Sequence, residues 1–203
     1  MEVQRKSLTQ LFVPICFEIL FYMLAGMVDT LMLSSVSDQA VGAVGTANTY
    51  IGVFIIMFGV ISSGMVAVMT QNIGAGKPGI AYQARQLGLL FNAIIGVLMS
   101  VFLAFFSGNI LKIVSIAPAL LEPAETYLKI VGGACFLNAL IPIFSSYLRV
   151  FGYTKQSLFA SVVGNVINFV LNAVFLYVMN LGVMGVAAAT VISRVINLII
   201  VAV

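Results

Sequence analysis

Leu11-Phe12-Val13-Pro14-Ile15-Cys16-Phe17-Glu18-Ile19-Leu20-Phe21-Tyr22-Met23-Leu24-Ala25-Gly26-Met27-Val28-Asp29-Thr30-Leu31-Met32-Leu33 decides how the rest of the chain is read. As a helix it spans about 35 Å, enough to cross the roughly 30 Å of a bilayer's hydrocarbon core. Glu18 and Asp29 are its two charges. An ionised carboxylate held in hydrocarbon costs about 2.5 kcal/mol or more even on permissive insertion scales. Asp29 must therefore face a cavity or a partner, or carry a proton. A plainer alternative places it at the headgroup boundary, ending the helix, but Thr30-Leu31-Met32-Leu33 carry the apolar run past it.

Outward from this stretch the chain keeps the same character. Of 203 residues, 62% are hydrophobic and 7% charged, far from the quarter or so that is charged in a soluble domain. There is no His, and Cys16 and Cys135 both lie in apolar runs, where they read as packing residues rather than a disulfide. Zinc, haem and iron–sulfur chemistry thus lack ligands, and no resident cofactor is expected. The net charge of +3 is spread over separate loops, which is not a nucleic-acid signature. The first run follows Arg5-Lys6 but is too long for a signal-peptide core and has no small-residue cleavage site, so it reads as a retained helix.

The pattern predicts an all-α membrane protein, a single lobe of six transmembrane helices at roughly 8–33, 48–72, 86–108, 124–148, 157–180 and 183–203. Arg5, Lys6, Lys77, Arg85, Arg149 and Lys155 fall on one side, against Lys112 and Lys129 on the other. The positive-inside rule then puts both termini in the cytoplasm and the protein in the cytoplasmic membrane, surrounded by lipid. Tyr50, Tyr127 and Tyr177 read as outer interfacial anchors, and Tyr82, Tyr147 and Tyr153 as inner ones. Gly74-Ala75-Gly76-Lys77-Pro78-Gly79, Gly152-Tyr153-Thr154 and Asn180-Leu181-Gly182 are turns. Pro14 and Pro142 lie inside spans and mark bends, with Pro14 the candidate hinge. The chain stops while still apolar at Val203, which suggests a cut at the end of one structural unit.

Polar residues inside the spans carry the functional reading. Asn165, Asn168 and Asn172 share one helical face, either as glue between helices or as the wall of a polar cavity. Asp29 lies about 12 Å outward of the bilayer centre, and Asn172 and Thr190 fall in the same outer half. Together they offer the hard oxygen ligands that suit H⁺ or Na⁺, with no other metal expected. Glu18 and Arg194 are expected to form a structural charge pair across the bundle, since neither is cheaply buried alone.

Pro14 followed by Met27-Val28-Asp29-Thr30-Leu31-Met32, and then Ala40-Val41-Gly42-Ala43-Val44-Gly45, resembles the opening of the multidrug and toxic compound extrusion (MATE) transporters. Further similar stretches follow in order: Thr70-Gln71-Asn72-Ile73-Gly74-Ala75-Gly76, Leu148-Arg149-Val150-Phe151-Gly152, Asn165-Val166-Ile167-Asn168-Phe169-Val170-Leu171-Asn172 and Leu181-Gly182-Val183-Met184-Gly185-Val186-Ala187-Ala188-Ala189-Thr190. The resemblance implies an amino-terminal lobe and cation-driven export of organic, often cationic, compounds. It implies that Asp29 binds the coupling H⁺ or Na⁺, and that Asn168 and Thr190 help to form the site. Many relatives carry Asp where this chain has Asn172. It also implies a second six-helix lobe, either a missing carboxy-terminal half or a second copy.

Two other functions compete with the antiporter. A lipid-linked-precursor flippase of the same superfamily would line a central cavity with several cations, whereas Arg194 alone lies at mid-depth. A truncated membrane scaffold without transport would need only small-residue faces such as Gly185-Val186-Ala187-Ala188-Ala189. An enzyme is disfavoured, because no nucleophile–base set is present.

Overall fold

The computed structural model describes residues 7–203, so Arg5 and Lys6 of the orientation argument lie outside the described residues. Seven α-helices follow one another: α1 (Leu8–Ser34), α2 (Asp38–Gly74), α3 (Pro78–Ile113), α4 (Pro118–Tyr127), α5 (Cys135–Val150), α6 (Thr154–Ala173) and α7 (Gly182–Ala202). Wider π turns, Leu128–Gly132 and Val174–Val178, follow α4 and α6. Among the described residues five helical segments are long and apolar enough to cross a membrane, six when the bent α4–α5 pair is counted as one span.

Local chemistry sets the ends. Ser7 and Gln10 open α1 as a capping box, each side chain accepting from the other's backbone N–H. Ser37 caps α2, where Asp38 complements the helix dipole. Pro78 starts α3, where its missing N–H costs nothing. Between α2 and α3, Gly76 takes φ +71°, the left-handed conformation that ends a helix at little cost to glycine. Gly152, Asn180 and Gly182 turn the chain at φ of +85°, +53° and +54°.

Two predicted spans are shorter than the helices that contain them. The 37-residue α2 and 36-residue α3 begin earlier than expected, taking in residues 38–47 and 78–85 that hydropathy alone assigns to loops. Nothing in those ends breaks a helix: Ser37 caps α2, and α3 opens on Pro78 without a side-chain cap.

The fourth span differs more. It is bent by 45° at the break between Gly132 and Cys135, whereas α5 runs unbroken through Pro142. Close packing explains the break, since a Cβ on Gly132 would lie 2.9 Å from the Leu103 Cβ of α3. One backbone donor freed there is satisfied across the bundle, Phe136 N–H donating to Ser100 Oγ at 2.8 Å. Pro14 marks no break either, and α1 is continuous around it. Its missing N–H orphans only the carbonyl of the exposed Gln10 near the helix start, where solvent substitutes.

The core lies between α2, α3, α4, α5 and α7. Ala43, Ala47, Ile51, Phe58, Leu103 and Leu128 are among its fully buried side chains. Asn92 brackets it, donating to the Phe58 carbonyl of α2 at 3.3 Å and the Ala139 carbonyl of α5 at 3.0 Å. α1 is peripheral. It packs chiefly along α6, runs parallel to it, and leaves Phe12, Leu20, Met23 and Leu31 exposed.

Candidate functional site

The α1–α6 seam carries the polar cluster. Asn172 Nδ2 donates to Asp29 Oδ1 at 2.8 Å. With its amide turned to present nitrogen to the carboxylate, Asn168 donates to both Asp29 oxygens at 3.0 Å. Helical geometry produces this convergence, because Asn168 and Asn172 are one turn apart on the face of α6 that meets α1. Both asparagines are buried, and Asp29 is half-buried. Asn172 Oδ1 is buried without a partner, so the shell holds an unused oxygen beside the carboxylate.

Thr190 joins less directly. Its hydroxyl donates to the Val186 carbonyl of its own helix at 2.8 Å, and its side chain faces the Tyr127 hydroxyl, as does Asn48. Tyr127 is 3% exposed, which moves it from an interfacial anchor to the interior of the lobe. No local signal in the sequence marks it, since the π turn and the bend after α4 decide where it points. Asn165, the third residue of the asparagine stripe, does not reach Asp29, and its Nδ2 is buried without a partner. Gly164 serves the α6–α7 contact, where a Cβ would meet that of Asn197 at 3.2 Å.

The expected Glu18–Arg194 pair does not form. Glu18 Oε1 lies 2.7 Å from Arg149 Nη2, and Ser157 Oγ donates to the same carboxylate at 3.2 Å. The reason is lateral position rather than depth. α1 packs along α6 and barely touches α7, while the tight turn after α5 brings Arg149 and Ser157 together at α1. Arg194 keeps a buried Nη1 with no partner. Cys16 and Cys135 are free thiols.

A mostly helical lobe of apolar spans, with a carboxylate held by two amides on its peripheral helix, defines a polytopic membrane protein with a polar interior site. The MatE family model matches residues 14–174, and the chain belongs to that family, corresponding to its amino-terminal lobe. It is 36% identical over 197 residues to the uncharacterized transporter YisQ of Bacillus subtilis, covering 95% of this chain and 43% of that protein. A probable multidrug resistance protein, NorM of Thermotoga maritima, is 29% identical over 206 residues, covering 94% and 42%. A solved MOP superfamily transporter from Pyrococcus furiosus superposes with a TM-score of 0.88 at 22% identity, over 96% of this chain and 43% of that one. The chain therefore spans less than half the length of these relatives.

Proposed function

We infer that the chain works as the amino-terminal lobe of a cation-coupled antiporter that exports organic, cationic compounds. Coupling would use H⁺ or Na⁺ at Asp29, and a second six-helix lobe would complete the pathway. The observation that carries this reading is the Asp29 carboxylate, held inside a membrane helix by the Asn168 and Asn172 amides rather than by a structural cation.

The two amide donors stabilise the ionised carboxylate when no coupling ion is bound. A proton on Asp29 weakens its claim on both donors. A bound Na⁺ instead asks the amides to turn their oxygens inward, and Asn172 already has an unpartnered Oδ1 there. Either event loosens α1 from α6. Pro14, one turn inward of Glu18, is the point where α1 lacks a backbone bond to resist bending. Ion occupancy then couples to export because the ion binds the two arrangements of α1 unequally. The cytoplasmic placement of both termini belongs to the same proposal.

The test is uptake of a fluorescent organic cation into inside-out vesicles carrying the full-length protein under an imposed H⁺ or Na⁺ gradient. Asp29→Asn keeps the shape, removes the charge and is expected to abolish gradient-driven transport while leaving the protein inserted. Wild-type rates under both gradients would refute the coupling role.

A further inference from the structure

Glu18 is the second charge on α1 and takes no part in the ion site. Buried and half-buried positions of the helix, among them Pro14, Glu18, Ala25, Asp29 and Met32, form one stripe facing α6. Glu18 and Asp29 are eleven residues apart on it, about 16 Å along the axis. Their partners on α6 repeat that interval: Ser157 contacts Glu18 at 3.2 Å, Asn168 contacts Asp29 at 3.0 Å, and they too are eleven residues apart. Both helices are unbroken over these intervals and run in the same direction, so one rung in register places the other.

Little else fixes α1 between the rungs. Phe21, Tyr22, Met23 and Leu24 turn outward there. Beyond Asp29, Tyr177 ties down the last turn, bonding to Ser35 at 2.9 Å. At the inner rung Arg149 Nε and Thr154 Oγ1 lie buried without partners, and Glu18 is the acceptor bonded to the Arg149 guanidinium.

We propose that Glu18 is a positioning residue, whose bonds to Arg149 and Ser157 set the register of α1 against α6 and so place Asp29 between Asn168 and Asn172. Its functional consequence rests on the ion-coupling reading above, but the register itself does not. A shift of about 1 Å in a site of this kind is enough to cost an order of magnitude or more in rate.

The experiment places nitroxide labels at Met27→Cys on α1 and Phe105→Cys on α3, both exposed, in a cysteine-free full-length protein. Glu18→Ala is expected to shift or broaden the interspin distance distribution and to raise about tenfold the ion concentration for half-maximal transport. The exchange Glu18→Arg with Arg149→Glu rebuilds the pair and is expected to restore both readouts to within about threefold of wild type. Should Glu18→Ala not fold, Glu18→Gln drops the charge, keeps an acceptor for Ser157 and is expected to shift the distribution in the same way. An unmoved distribution, or a charge exchange no better than the single changes, overturns the positioning role. The two possible failures are separable, since wild-type transport by Asp29→Asn refutes the coupling role and leaves the distance measurement to judge Glu18 alone.

Discussion

Adding one methyl group at Gly96 tests the close packing of α3 on α5. Gly96 of α3 faces α5 just past the break, where a Cβ would lie 2.7 Å from the Ala139 Cβ and 3.0 Å from the Phe136 Cα. Carbon atoms rest at about 3.5–4.0 Å, so Gly96→Ala overlaps by about 1 Å, partly against backbone that cannot rotate away. Overpacking of this kind costs about 1–3 kcal/mol. The substitution also gains about 0.8–1 kcal/mol of helix propensity, which hides part of that cost. Gly64→Ala in α2 supplies the correction, because its Cβ would meet nothing within 4 Å. The difference between the two variants isolates the clash, and Gly96→Ala is expected to be less stable than Gly64→Ala by about 1–3 kcal/mol in reversible detergent unfolding. Equal stabilities within about 0.5 kcal/mol would mean that α3 and α5 are further apart than described.

Asn92→Ala removes two buried bonds to carbonyls of α2 and α5 and is expected to cost about 1–3 kcal/mol in the same assay, with a neutral result refuting its bracketing role. Asn168→Ala leaves Asn172 on the carboxylate and is expected to weaken gradient-driven transport less than Asp29→Asn, whereas Cys16→Ala is expected to leave it unchanged; the vesicle assay ranks all three. An impermeant thiol reagent applied from outside is expected to label Ser37→Cys and not Gly79→Cys, and the reverse pattern would overturn the orientation.

The spans were legible because hydropathy and helix stops are local properties. Leu8–Ser34 and Gly182–Ala202 fall within a residue or so of their expected bounds for that reason. The bend was not legible, because Pro142 is the stronger breaker in isolation but tertiary contact chooses Gly132, where only a missing side chain lets α3 approach. The asparagine stripe puts Asn168 and Asn172 one turn apart on a shared face, and both meet Asp29, while Asn165 does not. Depth along the membrane normal pairs Glu18 with Arg194, whereas the structure pairs it with Arg149. Depth fixes one coordinate of three, and Arg149 wins on the lateral ones. Tyr127 was missed for a similar reason: a tyrosine near a span end has the same composition whether it faces headgroups or the core.

The location of the carboxylate has a physical logic on the proposed reading. A helix packed on all sides cannot respond to one ion, because its packing outweighs any single polar interaction. α1 is different: much of its surface is uncovered by the lobe, so fewer contacts within the lobe hold it than hold α2 or α3. Hydrogen bonds to a charged group contribute about 1.5–3 kcal/mol each, so two amides on an ionised Asp29 amount to about 3–6 kcal/mol of attachment. Allosteric coupling of five- to 150-fold needs only about 1–3 kcal/mol. Neutralising this one carboxylate thus releases enough free energy to change how α1 sits on α6, and the same change made on α2 or α3 would be absorbed by the core.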